Sequence, residues 1–419
     1  MNALAASYPE PSPAPSAVAC PAPSIPPAPR AAPAHEFLST PEFELLLVCQ
    51  GEISGLERAE RAGSLVAEGI DWDRVLQLAE HHRLVSKVYE LLSPLPAVPA
   101  RFLARLGARC RANARQALWL ASELIRIVDD FASRGIEVLP YKGPTLAQML
   151  YGDVGGRQFG DLDLLVRPAD VPAAKAALLD LGYTRSRRLT EREQKLYLKS
   201  GYEYPFDSAY GRNLVELKWQ ILPRFYCADF DVDAMFPRAA ALPLAGRSLR
   251  TLCREDLLLV LCVHAGKHAW SRLCWLSDIT QLARQELDWS AVEKQSKALG
   301  IERMVAVNFV LAQKVLGAPL PEMIRKSLAG DGTSERVAGE LAPLLANGTE
   351  YDTESIGYFR LMMKVRERWR DRARFLWRLA FTPTAGDWSR PQLPEALFPL
   401  YGLWRMLRLP GKLVKSLRF

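Results

Sequence analysis

Ten residues, Arg157-Gln158-Phe159-Gly160-Asp161-Leu162-Asp163-Leu164-Leu165-Val166, set the reading of this chain. On a strand, positions i and i+2 share a face. Asp161 and Asp163 therefore stand side by side at the start of a strand, Asp161 to Val166, that runs on into apolar residues. Two like charges cannot both enter a core without partners, because desolvating them costs too much. They must face water, a basic group or a cation. Magnesium answers this, since it takes oxygen ligands, commonly one or two carboxylates plus substrate phosphates. A two-metal phosphoryl-transfer site needs a third carboxylate on a nearby strand, and Glu216, mid-strand in Val215-Glu216-Leu217, supplies it. The competing reading makes the pair a strand edge and Glu216 an exposed residue.

What lies upstream weighs against that plainer reading. Ile136 to Tyr141 reads as a short strand, and Lys142-Gly143-Pro144 turns it into a helix through Tyr151. A helix start presents free N–H groups to phosphate. Arg157 follows on a loop carrying Gly152, Gly155, Gly156 and Gly160, where a guanidinium suits bidentate contact with a triphosphate. Taken singly, Lys142 is a solvated strand end and Arg157 a surface arginine; their order is the informative part. Downstream come a helix from Val171 to Leu181 capped by Asp170, a strand from Tyr202 to Phe206 and another from Leu214 to Trp219. The expectation is an α+β fold with a small mixed-sheet core.

Helical patterns flank this unit. Asp71 precedes Trp72, Val75, Leu76, Leu78 and Ala79 at three-and-four spacing, and Leu118 to Phe131 makes a second amphipathic run. After Leu249 helices are expected over Glu255–Trp270, Leu276–Ala283, Trp289–Leu299 and Arg303–Leu316. The chain then divides into a Pro/Ala-rich tail (1–35), an N-terminal helical region (36–135), the sheet core (136–250), a C-terminal helical domain (251–350) and a basic Trp/Arg-rich segment (351–419). The 419 residues, 49% hydrophobic and 24% charged, exclude a disordered chain. No window reaches the roughly 18 unbroken apolar residues of a spanning helix. The tail lacks the basic start and apolar core of a signal peptide and reads as disordered. Seven cysteines without a C-x-x-C pair argue for reduced thiols and a cytoplasmic setting. From Lys364 onward there are 13 Lys/Arg against four acids, so the net charge of +7 reports this end of the chain and leaves the body near-neutral.

The order of features resembles the DNA-polymerase-beta-like nucleotidyltransferase superfamily. More closely, it resembles an uncharacterised bacterial nucleotidyltransferase family marked by a K-G turn followed by R-x-x-x-D-x-D, here Lys142-Gly143 and Arg157 to Asp163. The likeness extends to Asp71-Trp72, Ala79-Glu80-His81-His82, Glu216-Leu217-Lys218-Trp219, His264, His268, Trp275-Leu276, Asp278, Phe381-Thr382-Pro383 and Asp387-Trp388. It implies transfer of a nucleoside monophosphate from an NTP such as ATP to a hydroxyl-bearing acceptor. Mg²⁺, two ions on this expectation, would be held by Asp161, Asp163 and Glu216, with Glu216 helping to deprotonate the acceptor. Lys142, Gly143 and Arg157 would bind phosphate. Two positions depart from the pattern: Lys142-Gly143 replaces the wider superfamily's Gly-Ser or Gly-Gly, and Lys218 replaces a frequent histidine, which bears on acceptor contacts.

Other features stay open between readings. His264 and His268 have a zinc-compatible spacing, but the residues between them lack the glutamate of a metalloprotease. The favoured reading roofs the cleft with their helix, placing His264 or Lys267 near substrate with Asp278 paired to one of them; a structural role weighs equally. The basic end is a solvated helical face, a peripheral membrane contact over Tyr401–Phe419, or, weakest, a nucleic-acid surface. The rival to an enzyme is a non-catalytic module of the same fold, antitoxin-like or an accessory in polysaccharide assembly.

Overall fold

The computed structural model describes residues 40–50, 55–186, 190–209, 211–353 and 355–382. The expectations for the first 35 residues, for Tyr401–Phe419 and for Asp387-Trp388 lie outside them. Five helices come first: α1 (Pro41–Gln50), α2 (Gly55–Glu68), α3 (Trp72–His81), α4 (Val85–Leu92) and α5 (Ala100–Ser133). Asp71 caps α3 as its sequence position implies, its carboxylate accepting from the backbone N–H groups of Asp73 and Arg74 at 3.0 and 3.1 Å. With 34 residues, α5 is long enough to join two cores. Phe102 and Leu106 pack with α1–α4, whereas Leu120, Leu124, Ile127 and Phe131 pack beneath the sheet.

Chain order through the core is β1 (Val138–Pro140), α6 (Pro144–Tyr151), β2 (Leu162–Val166), α7 (Val171–Asp180), β3 (Thr184–Arg185), α8 (Glu191–Ser200), β4 (Glu203–Ser208) and β5 (Gly211–Lys218). The strands lie in the order β1-β2-β5-β4-β3, with β2 and β5 parallel and the other neighbours antiparallel. This is the expected α+β class with a small mixed sheet. Central β2 is buried along its whole length. Its side chains divide by alternation: Leu162, Leu164 and Val166 enter the core shared with α5, while Leu165 enters the other one. Asp163 sits between Leu162 and Leu164, so it shares the face of Leu165.

After α9 (Val232–Met235), β6 (Ala240–Leu244) and β7 (Arg247–Thr251) form a hairpin. It is clamped to β1 by the Thr251 hydroxyl, which donates to the Pro140 carbonyl at 2.7 Å. Eight helices follow: α10 (Arg254–Lys267), α11 (Leu273–Ala283), α12 (Trp289–Leu299), α13 (Glu302–Leu316), α14 (Glu322–Leu328), α15 (Thr333–Ala346), α16 (Ile356–Lys364) and α17 (Trp369–Phe381). Residues from α1, α10, α13, α15 and α17 belong to one hydrophobic cluster, so the helices before and after the sheet share a core. The apolar run Leu257–Val263 is buried in α10. Among the described residues no helix is long and apolar enough to cross a membrane.

Candidate functional site

Gly143 makes the site's first turn. Its backbone sits at φ +57° and ψ −129°, and a Cβ there would stand 2.9 Å from the Asp161 carbonyl oxygen. Only glycine accepts both the conformation and the approach. The β1–α6 turn can therefore lie directly against the chain entering β2, bringing Lys142 over Asp163 at 3.0 Å from Nζ to Oδ1.

Strand register makes the second convergence. Asp163 on β2 pairs with Glu216 on β5. Lys218 lies two residues further along β5, on the same face, and Glu203 on β4 is its cross-strand partner. The Lys218 ammonium is buried among three carboxylates, 2.6 Å from Glu216 Oε2, 3.5 Å from Asp163 Oδ1 and ion-paired with Glu203. The Tyr141 hydroxyl donates to Asp163 Oδ1 at 3.5 Å. Asp163 Oδ2 is buried without a hydrogen-bond partner. Burial pushes the Asp163 carboxyl up despite Lys142 and Lys218. Burial acts the same way on Glu216, but there Lys218 and Lys142 win and hold it at about 2. A carboxylate held so low is a weak proton acceptor at neutral pH.

These groups open on a cleft of about 460 Å³. Its floor is Tyr141, Lys142, Gly143, Asp161, Asp163, Glu216 and Lys218 from the sheet side. One face of α10 roofs it with Val260, His264, Lys267 and His268, and Arg272 and Trp275 continue the wall. His264, His268 and Trp275 are in mutual ring contact at 4.8 to 5.3 Å between centroids. Burial, with nearby lysines, lowers both histidines, His268 to about 3, so both are neutral. Burial, with Lys218 adding, brings the Lys267 ammonium down to about 8. It lies 3.3 Å from the Tyr202 hydroxyl. Six lysines and arginines line the cleft against four acids, a surplus suited to a polyanion.

One expectation needs correcting, the partner of Asp278. Arg157 lines the cleft, and its Nε donates to Asp278 Oδ2 at 2.9 Å in a buried ion pair. Asp278 accordingly pairs with neither His264 nor Lys267; its other oxygen accepts from the Tyr151 hydroxyl at 3.0 Å. α6, the Gly-rich loop and α11 are thereby tied together behind the cleft.

Whether a divalent metal suits this floor can be tested on its donors. Asp161, Asp163 and Glu216 line the same cleft. Among the described residues, however, no three His, Cys, Asp or Glu side chains gather closely enough to hold a metal ion. Magnesium needs fewer protein ligands than that when phosphates complete its shell. The orphaned Asp163 Oδ2 offers an oxygen already stripped of water. The donor chemistry fits one such ion.

Sequence reasoning missed Arg83, Glu203, Tyr202 and Arg272. Glu203 was readable in principle as the residue opposite Lys218 in the hairpin. Arg83 reaches the cleft from a left-handed backbone, φ +58°, directly after α3, and no residue type signals that conformation.

A glycine turn, paired strand carboxylates and a cation-lined cleft thus meet at one place on the sheet. The chain belongs to the uncharacterised nucleotidyltransferase family, whose pattern it matches over residues 68–317, well over half its length. The match takes in α3 to α13 and so contains the whole sheet. The chain matches no curated protein and no solved structure.

Proposed function

We propose that this chain is a metal-dependent nucleotidyltransferase of the DNA-polymerase-beta type, moving a nucleoside monophosphate from an NTP, such as ATP, to a hydroxyl on an acceptor. The observation that carries the reading is the register that sets Asp163 against Glu216 beneath a cationic cleft, next to the Gly143 turn. Lys142 and Lys267 bind and orient the triphosphate as charged donors. Asp163, with Asp161 and Glu216 beside it, would hold Mg²⁺, whose chemistry there is to neutralise phosphate oxygens as charge shifts in the transition state. The acceptor oxygen forms its bond to the α-phosphorus, the bond from that phosphorus to the bridging oxygen breaks, and pyrophosphate leaves with the electron pair. The acceptor proton passes to solvent, because Glu216, held at about 2, is a weak acceptor and Lys267 is charged beside the triphosphate.

A non-catalytic reading draws on one observation: Lys142 and Lys218 occupy the carboxylates that a metal would use. The two separate by incubating the chain with each α-labelled NTP, Mg²⁺ and cell extract, beside the Asp161→Ala/Asp163→Ala variant. Label transfer that vanishes in the variant supports the enzyme. Nucleotide binding without transfer in any extract supports the non-catalytic module.

A further inference from the structure

The two lysines on the cleft floor are held differently. Lys142 reaches Asp163 from a turn, with its side chain 12% exposed, and Asp163 is its one ion-pair partner among the described residues. An arriving phosphate can draw it away. Lys218 is enclosed by Glu203, Glu216 and Asp163, and its ammonium also lies 5.4 Å from the Tyr202 ring centroid. Withdrawing it would leave buried Asp163 with Lys142 alone and would take the ion-pair partner from half-buried Glu203 and Glu216. Lys218 therefore stays where it is.

Its place has a chemical meaning. An ammonium in contact with both Asp163 Oδ1 and Glu216 Oε2 fills the point from which a cation would bridge those two strands. Paired metals in phosphoryl-transfer sites stand only about 3.5–4 Å apart. A second divalent ion there would meet a fixed positive charge at contact range. We propose that Lys218 is the resident cation of this site, standing in for one metal ion, so that the chain takes up a single divalent cation with each nucleotide. That ion would bind through Asp163 Oδ2, which has no hydrogen-bond partner, with Asp161 lining the same cleft. The inference rests on the nucleotidyl-transfer reading and refines its metal requirement from two ions to one.

Equilibrium dialysis of the full chain tests it, with Mn²⁺ as the metal and the α,β-methylene analogues of ATP, GTP, CTP and UTP as non-transferable nucleotides. The readout is Mn²⁺ retained per nucleotide retained. The expected ratio is one for the wild type and two for Lys218→Met, with circular dichroism checking that the variant is folded. A wild-type ratio of two overturns the proposal without any variant. A ratio of one in both proteins also overturns it, because Lys218 would not be what excludes the second ion. Should Lys218→Met not fold, Lys218→Gln, which keeps a donor for the carboxylates, takes its place under the same two outcomes. Retention of no analogue by the wild type removes the nucleotide reading itself, and this inference falls with it.

Discussion

Replacing Asp278 with asparagine probes the ion pair behind the cleft. Arg157 and Asp278 have side chains only 6% and 1% exposed, their contact is 2.9 Å, and Tyr151 satisfies the second carboxylate oxygen. Removing one member of such a pair leaves an uncompensated buried charge, at a cost of about 3–5 kcal/mol. Asp278→Asn keeps the shape and strands the Arg157 guanidinium, so it should fall in that range. Removing both charges, as in Arg157→Met/Asp278→Leu, deletes the desolvation cost along with the attraction and should cost no more than about 1–2 kcal/mol. The double variant should thus be more stable than Asp278→Asn, and, with Arg157→Met and Asp278→Leu also measured singly, the coupling energy between the sites should exceed about 2 kcal/mol. Urea unfolding followed by circular dichroism gives all the required free energies. A cost below about 1 kcal/mol for Asp278→Asn, or a double variant costing the sum of its parts, would show that the pair is not buried and charged as described.

Three further outcomes are expected. Gly143→Ala must hold a positive φ and bring a Cβ to 2.9 Å from the Asp161 carbonyl; it should cost about 1–3 kcal/mol and weaken triphosphate binding, read by a thermal melt and by calorimetry. His82 is fully buried, its Nδ1 accepts the Leu273 N–H at 3.2 Å, and burial first of all brings it down to about 3. Because the folded value lies below the unfolded one, its contribution is complete above about pH 6.5 and is lost as pH falls toward 3. His82→Gln should accordingly flatten the stability–pH slope in that window by up to about 1.4 kcal/mol per unit, and an unchanged slope in parallel urea titrations would count against it. Lys267, down at about 8, is largely neutral at pH 9, and a bound triphosphate favours its charged form. Nucleotide binding at pH 9 should take up close to one proton, seen as a buffer-dependent heat that disappears in Lys267→Met.

Much of the sheet was legible because its signals are local. The D-x-D alternation, the K-G turn and the apolar run of β2 each state their geometry within a few residues, and Leu162–Val166 lies within the span read from sequence. Elements with weaker signals escaped, α8 and the β6–β7 hairpin among them. α8 has few apolar anchors, although Thr190 and Glu193 form a capping box that could have announced it. The β6–β7 hairpin turns through Ala245 and Gly246, both at positive φ, and alanine is not a residue that advertises such a turn. The cleft's charge pairing was harder still. Which acid meets Arg157 depends on how α11 packs 121 residues downstream, a distance at which sequence spacing says nothing. Lys218 was read as an acceptor contact; alternation on β5 puts it on the face of Glu216, but its pairing with Glu203 depends on the β4 neighbour, which the reading did not use.

The length of α5 has a practical corollary for anyone wishing to isolate the sheet core. At 34 residues it extends roughly 50 Å, one end wedged among the opening helices and the other serving as the bed on which the strands rest. A fragment cut at residue 136 would lose that bed and expose Leu162, Leu164 and Val166 along the middle strand. Expression boundaries should begin ahead of Ala100, because the strut is shared property and cannot be divided between two halves.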